Sequence, residues 1–115
     1  MKYLCLICAE TVMEHMTLEV AEQQFAEYAA FTRAIRDNGR FLDCNRLLPA
    51  NTATTLRVRN GKVSSTDGPF AETKEQLGGF YMLNCDNLDD AIEMAAKIPG
   101  ARSGSIEIRP IMEFE

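Results

Sequence analysis

The order of apolar and polar residues along the chain predicts strands alternating with helices. Residues 2–9, KYLCLICA, are apolar at nearly every position, which indicates a strand that is buried on both faces. Residues 17–38 predict a helix, because Thr17 can cap its first turn and mostly apolar residues recur at spacings of three and four. The predicted buried stripe of this helix is Ala21, Phe25, Tyr28, Thr32 and Ile35.

The rest of the chain repeats this plan after a hairpin. The predicted elements are a strand over 41–48, a hairpin around Asn60-Gly61, a strand over 78–85, a helix from Asn87 to about residue 98, and a final strand within 105–114. Two β-α-β units of this kind predict an α+β, ferredoxin-like fold with both helices on one face of the sheet and an inserted β-hairpin.

The predicted sheet has a second face that two helices cannot cover. In the first strand Tyr3, Cys5 and Ile7 point to one side, whereas Leu4, Leu6 and Cys8 point to the other. The strand over 78–85 is also apolar on both sides. Since an exposed apolar face of this size is unusual in a monomer, we expect a homodimer through the open sheet face, closing a barrel-like core.

Length and charge narrow the possible partners. A chain of 115 residues predicts a single domain, residues 1–115. Twelve basic and seventeen acidic residues give a net charge of −5, which makes nucleic acid an unfavourable partner. No apolar run approaches the ~18 residues of a membrane span, and the start of the chain lacks the features of a secretory signal. We therefore expect a cytoplasmic protein with no membrane partner.

The four cysteines include a C-x-x-C pair, Cys5 and Cys8, with the spacing of redox and zinc sites. Residues three apart on a strand point to opposite faces, so this pair is expected to pack as small apolar side chains. We accordingly predict no metal and no cofactor.

The segment over residues 66–83, TDGPFAETKEQLGGFYML, begins as a turn, and Gly78 and Gly79 permit a close approach to another backbone. It resembles the signature of the DGPF branch of the YCII-related family. The stretches MKYLCLI, AEYAAFTRAIRDNG, ATTLRVRNGKV and EIRPIMEF are similar in the same order. The resemblance implies a bacterial protein with a ferredoxin-like fold that dimerises into an α/β barrel. It also implies a largely unassigned function, often encoded beside sigma factors of the extracytoplasmic type.

Relatives in this family are described with a His and an Asp as an active-site pair, and one branch is linked to dehydrochlorination. The single His of this chain, His15, precedes the first helix, whereas the family's His is sought on it. Tyr28 lies near that place, and Asp37 is an available acid on the polar side of the helix. The resemblance therefore makes Tyr28 the candidate replacement for the family's His.

Asp67 is the leading candidate for a functional carboxylate. A short acid in a Gly-Pro turn is held in one direction and could act as a general base. It could equally cap the loop by a hydrogen bond to the backbone ahead of it, and both readings stay open.

Two functions fit these residues. The first is a small-molecule-binding or regulatory domain, since no recognisable catalytic set is present. The alternative is a small cofactor-free lyase or isomerase with Asp67 as base. In that enzyme Tyr28 is the second catalytic candidate, Tyr28 or Tyr81 would orient the substrate, and Arg57 or Arg59 would stabilise an anion. The ligand-binding candidates are Arg57, Arg59, Tyr81 and Phe70. The two arginines could instead pair with the acidic segment over residues 67–75.

Overall fold

A computed structural model describes residues 1–10 and 17–114, so His15 lies outside the described residues. The helices and strands are β1 (Lys2–Ala9), α1 (Leu18–Asp37), β2 (Phe41–Arg46), β3 (Thr54–Arg59), β4 (Lys62–Asp67), β5 (Gln76–Asn84), α2 (Leu88–Ala95) and β6 (Ser105–Pro110). Short 3₁₀ turns occupy Ala50–Thr52 and Pro99–Arg102. No helix in this part of the chain is long and apolar enough to cross a membrane.

Four strands form one antiparallel sheet in the order β2-β5-β1-β6. The two strands at the centre, β1 and β5, are those whose sequences are apolar on both sides. This order, with a helix after β1 and another after β5, is compatible with a ferredoxin-like fold and confirms the α+β class.

The core lies between one face of the sheet and the two helices. Tyr3 and Cys5 of β1 and Leu83 of β5 are almost fully buried there. Residues of both helices join the same cluster: Phe31, Ile35, Ala91, Met94 and Ala95. The alternation predicted for β1 is therefore confirmed, since its odd-numbered side chains enter this core.

The buried stripe of α1 differs from the prediction. Phe31 and Ile35 are buried, whereas Phe25 is 77% exposed. The first turns of α1 lie over an open cavity rather than over the core, so Phe25 lines that cavity. The cap is as predicted, because the Thr17 hydroxyl oxygen accepts a hydrogen bond from the Val20 amide at 3.3 Å.

The strands β3 and β4 pair only with each other, as a two-stranded sheet. The predicted hairpin around Asn60-Gly61 is confirmed, because Asn60 and Gly61 both have positive φ, the geometry of a type I′ turn, and Val58 lies opposite Val63. At the base of this hairpin the Gly68 amide donates to the Ala53 carbonyl oxygen at 2.7 Å. Gly68 has φ +103°, so glycine is required there.

Asp67 ends β4, and its carboxylate makes no hydrogen bond with any residue the structure describes. The turn-capping bond expected from Asp67 is therefore not formed, because the neighbouring Gly68 backbone holds the loop instead. The Gly68 carbonyl oxygen also accepts from the Thr55 hydroxyl at 2.8 Å.

Only one of the paired glycines in β5 makes the close backbone approach expected of both. A Cβ on Gly79 would lie 2.8 Å from the Asn45 carbonyl oxygen of β2. A Cβ on Gly78 would lie 3.9 Å from the Ile7 carbonyl oxygen, an ordinary contact distance.

Candidate functional site

A cavity of about 1140 Å³ lies between α1 and the β2–β5 side of the sheet. The segment after β2, residues 47–50, forms part of its wall. Most of its lining is apolar, and its volume lies slightly above the roughly 300–1,000 Å³ that is usual for small-molecule sites. Polar groups enter it chiefly from α1, with Tyr28 and Thr32 one turn apart.

The site residues Tyr28 and Tyr81, predicted from separate parts of the sequence, meet in this cavity. Their rings stack with centroids 6.4 Å apart and an angle of 3° between planes. Phe31 packs edge-on against Tyr81 from the core side at 5.1 Å. These aromatic contacts restrict the positions of the Tyr28 and Tyr81 rings, and therefore of their hydroxyl groups, beside α1.

The direction of one hydrogen bond follows from counting protons. The Thr32 hydroxyl donates to the Tyr28 carbonyl oxygen at 2.9 Å, which uses its single proton. The Thr32 and Tyr81 hydroxyl oxygens are 2.7 Å apart, so Tyr81 must be the donor in that pair. The Tyr81 hydroxyl proton is therefore already donated to Thr32 and is not available to a ligand.

Tyr28 differs from Tyr81 in this respect. Its hydroxyl oxygen accepts a hydrogen bond from the buried Gly100 amide at 3.0 Å. Its own proton has no acceptor among the residues that the structure describes. A Cβ on Gly100 would lie 2.7 Å from that oxygen, so glycine is what permits this approach. The Tyr28 hydroxyl is thus a positioned donor with a free proton at the cavity.

Burial raises the pKa of the Tyr28 hydroxyl. The Gly100 amide and the positive charges of Arg46 and Arg102 oppose this and favour the phenolate. Burial has the larger effect, so Tyr28 stays protonated at neutral pH. It can donate a hydrogen bond or a proton, but it is a poor base.

Three arginines, Arg33, Arg36 and Arg46, line the cavity together with two carboxylates, Glu10 and Asp37. The lining therefore carries an excess of one positive charge, in a chain with a net charge of −5. Neither Arg33 nor Arg46 forms an ion pair within the described part of the chain. The charge and the Tyr28 proton together favour an anionic group in the cavity.

The other predicted site residues lie elsewhere. Asp67, Arg57 and Arg59 are exposed on the β3–β4 hairpin, and Phe70 is 84% exposed in the loop that follows. None of them lines the cavity of its own chain. In the described residues the two arginines form no ion pair with the 67–75 segment, so that alternative partner is not engaged. Their functional roles stay predictions.

Two contributors were not anticipated from the sequence. Arg46 ends β2 and lines the cavity. The sequence pattern that could have identified it is a single basic residue directly before the apolar pair Leu47-Leu48. Gly100 follows the second helix, and its amide donates a hydrogen bond to Tyr28, which is 72 positions away in sequence. No local pattern identifies that partner.

The C-x-x-C pair lies in β1, with Cys5 fully buried in the core and Cys8 partly buried. Burial, together with the neighbouring Cys85, raises the pKa of Cys5 to about 11. The described residues contain no group of three His, Cys, Asp or Glu side chains arranged to hold a metal ion.

The model of the YCII-related domain matches residues 1–115. The chain belongs to the YCII-related family. An uncharacterised protein of Rhizobium meliloti (strain 1021) is 38% identical to this YCII-related protein over 108 residues. That similarity covers 92% of this chain and 87% of the relative. The YCII-related domain thus includes the sheet, both helices and the whole cavity lining.

Proposed function

We propose that this YCII-related protein is a small-molecule-binding or regulatory domain whose ligand is a small organic anion held in the cavity beneath α1. One observation carries this proposal: the Tyr28 hydroxyl presents a proton that has no acceptor among the described residues, in a largely apolar cavity whose lining has a net positive charge. A half-buried donor of this kind gains most from an ionised oxygen, because charge-assisted hydrogen bonds are the stronger ones.

The cavity also defines the rest of the ligand. The stacked faces of Tyr28 and Tyr81 and the exposed ring of Phe25 offer aromatic contact area. A carboxylate on an aromatic or alicyclic ring would match this cavity. Its ring would contact the aromatic side chains, a carboxylate oxygen would accept from Tyr28, and Arg46 would balance its negative charge. Ligands of this size are accommodated by cavities of several hundred cubic ångströms.

Binding is favoured over catalysis by the positions of the predicted catalytic residues. A lyase or isomerase of the kind considered above needs a base next to its substrate. The Asp67 carboxylate lies outside the cavity of its own chain, and Tyr28 holds its proton at neutral pH. The carboxylates that line the cavity are Glu10, which pairs with Lys74, and Asp37, and neither is the predicted base.

We further propose that the protein is a homodimer through the open face of its sheet, forming the dimeric α/β barrel implied by the DGPF resemblance. On that face Leu4 lies opposite Met82 and Leu6 lies opposite Phe80. These four side chains are only partly buried in a single chain and belong to no helix-covered core. Burying them against a second sheet would contribute about 25 cal/mol per Å² of apolar surface.

The DGPF branch and a bacterial cytoplasmic location are part of the same proposal. All four cysteines are free thiols, which suits a reducing compartment.

The ligand class is tested by thermal shift and isothermal titration calorimetry. The panel comprises benzoate and cyclohexanecarboxylate, with benzamide as the neutral isostere and benzylamine as the cation. We expect the two carboxylates to raise the Tm and the amide and amine to have much weaker effects. An amide that binds as tightly as benzoate would refute an anion site.

The matched variants are Arg46→Gln, inside the cavity, and Arg57→Gln, outside it, and each removes a guanidinium group that forms no ion pair with a described residue. Arg46→Gln should weaken benzoate binding, whereas Arg57→Gln should leave it unchanged. Equal effects would show that the anion does not occupy this cavity. Mass spectrometry of each bound compound after incubation reports turnover, and any conversion would favour the enzymatic alternative.

A further inference from the structure

The hairpin of β3 and β4, residues 54–67, is here named the arm, and it stands apart from the core. It forms its own two-stranded sheet, and every residue in it except Thr55 is exposed. The Cα radius of gyration is 16.1 Å, with extents of 48 × 46 × 18 Å. A compact domain of this length has a radius of about 13 Å. The arm is thus an extension that the rest of its own chain does not cover.

The two sides of the arm have different chemistry. Leu56, Val58 and Val63 share one side near the turn and are 61%, 54% and 68% exposed, with Thr54, Ser65 and Asp67 on the same side toward the base. Arg57, Arg59, Lys62 and Ser64 share the other side. An alternation of apolar and polar residues is typical of a strand with one buried face, and isolated two-stranded hairpins are only marginally stable in water. The apolar row therefore has the pattern of a covered surface, although none of residues 1–10 and 17–114 covers it.

We infer that the apolar row of the arm packs against a second copy of this chain, an inference that rests on the proposed homodimer. Charge indicates this occupant. The arm carries three basic residues and one acidic residue, whereas the remainder of the chain carries nine basic and sixteen acidic residues. An arm of charge +2 is attracted to another body of charge −7. The same acidic body would repel a nucleic acid.

The size of the row indicates how the arm contributes. Three apolar side chains cannot supply the roughly 800 Å² per partner that a stable interface buries. The arm must therefore add to a larger contact, and the open face of the four-stranded sheet is the large apolar surface available for it. The arm would extend that sheet-to-sheet interface over the outside of the partner.

Adjacent residues of β4 provide a matched test. Val63 lies in the apolar row and Ser64 on the opposite side, and both are exposed, so Val63→Asp and Ser64→Asp differ in which side receives the new charge. In sedimentation equilibrium we expect Val63→Asp to raise the dimer dissociation constant at least tenfold and Ser64→Asp to change it less than threefold. If Val63→Asp leaves the dimer dissociation constant unchanged, the apolar row is not in the dimer interface and is free for another protein. That result overturns the inference. Equal weakening by both variants overturns it as well.

Fluorescence gives a readout that does not depend on weakening the dimer. The chain has no Trp, so Val63→Trp introduces a single reporter in the row. Its emission should be shifted to the blue in the dimer and move to the red on dilution. Emission typical of water-exposed tryptophan at every concentration contradicts the inference. A wild-type protein that is monomeric at micromolar concentration overturns both the arm contact and the dimer, while benzoate titration still decides the ligand site separately.

Discussion

Tyr28→Phe removes one oxygen atom and leaves the ring stacked on Tyr81, so its effects can be assigned to hydrogen bonds. The Gly100 amide is buried and donates to the Tyr28 oxygen at 3.0 Å, with no second acceptor in the described part of the chain. An unpaired buried donor costs about 1–3 kcal/mol. For a domain of 115 residues, 1 kcal/mol corresponds to roughly 4 °C in Tm, so the expected loss is about 4–12 °C.

The same substitution removes the free proton from the cavity. A hydrogen bond to a charged group contributes about 1.5–3 kcal/mol, so benzoate should bind roughly 10- to 150-fold more weakly to Tyr28→Phe. The neutral benzamide should lose less, because a neutral acceptor gains less from the phenol. Calorimetric titration of both compounds against wild type and variant gives the two ratios.

Tyr81→Phe is the control, since it removes a hydroxyl whose proton is already used by Thr32. Thr32 keeps its bond to the Tyr28 carbonyl oxygen, so the stability loss should stay at about 0.5–1.5 kcal/mol with little change in benzoate affinity. A Tyr28→Phe protein that melts within about 2 °C of wild type would show that the Gly100 amide has another partner. Greater loss of benzoate affinity in Tyr81→Phe would show that the proton assignment in this cluster is wrong.

Two further outcomes follow from the packing. Gly79→Ala should destabilise the protein by about 1–3 kcal/mol in urea unfolding, because the new Cβ would lie 2.8 Å from the Asn45 carbonyl oxygen. The adjacent Gly78→Ala is the control and should cost less than about 1 kcal/mol. Equal costs for the two variants would refute the contact with Asn45. Burial raises the pKa of Cys5 from 9.0 to about 11, so the folded protein holds that proton more tightly than the unfolded chain and stability falls as pH rises above 9. Between pH 8 and 10.5 wild type should lose about 2 kcal/mol more unfolding free energy than Cys5→Ala, and parallel pH profiles would contradict this.

Local patterns were enough to predict most of the fold. The Thr17 cap, the Asn60-Gly61 turn and the alternation in β1 each depend on interactions within a few residues, and each is confirmed. Their combination limits the topology to β-α-β units around a hairpin, which gives the observed α+β arrangement.

Local sequence patterns could not predict which apolar residues of α1 face the core. Both Phe25 and Phe31 fit an apolar stripe at helical spacing, and the sequence does not show where the sheet ends beneath the helix. The structure buries Phe31 and places Phe25 over the cavity. Only tertiary packing determines which half of α1 meets the core and which half lines the cavity.

The predicted site residues separate into two groups that a single chain does not bring together. Tyr28 and Tyr81 lie in the cavity, whereas Arg57, Arg59 and Asp67 lie on the arm. The DGPF segment indicated a functional role for Asp67, because a Gly-Pro turn can hold a carboxylate in one direction. In the structure the Gly68 backbone, and not the Asp67 side chain, makes the hydrogen bonds at the base of the arm. If the arm contacts a second copy, this segment sets the angle at which the arm leaves the body. Substitutions in it should then alter dimer dissociation more than benzoate affinity, and those at Tyr28 should do the reverse.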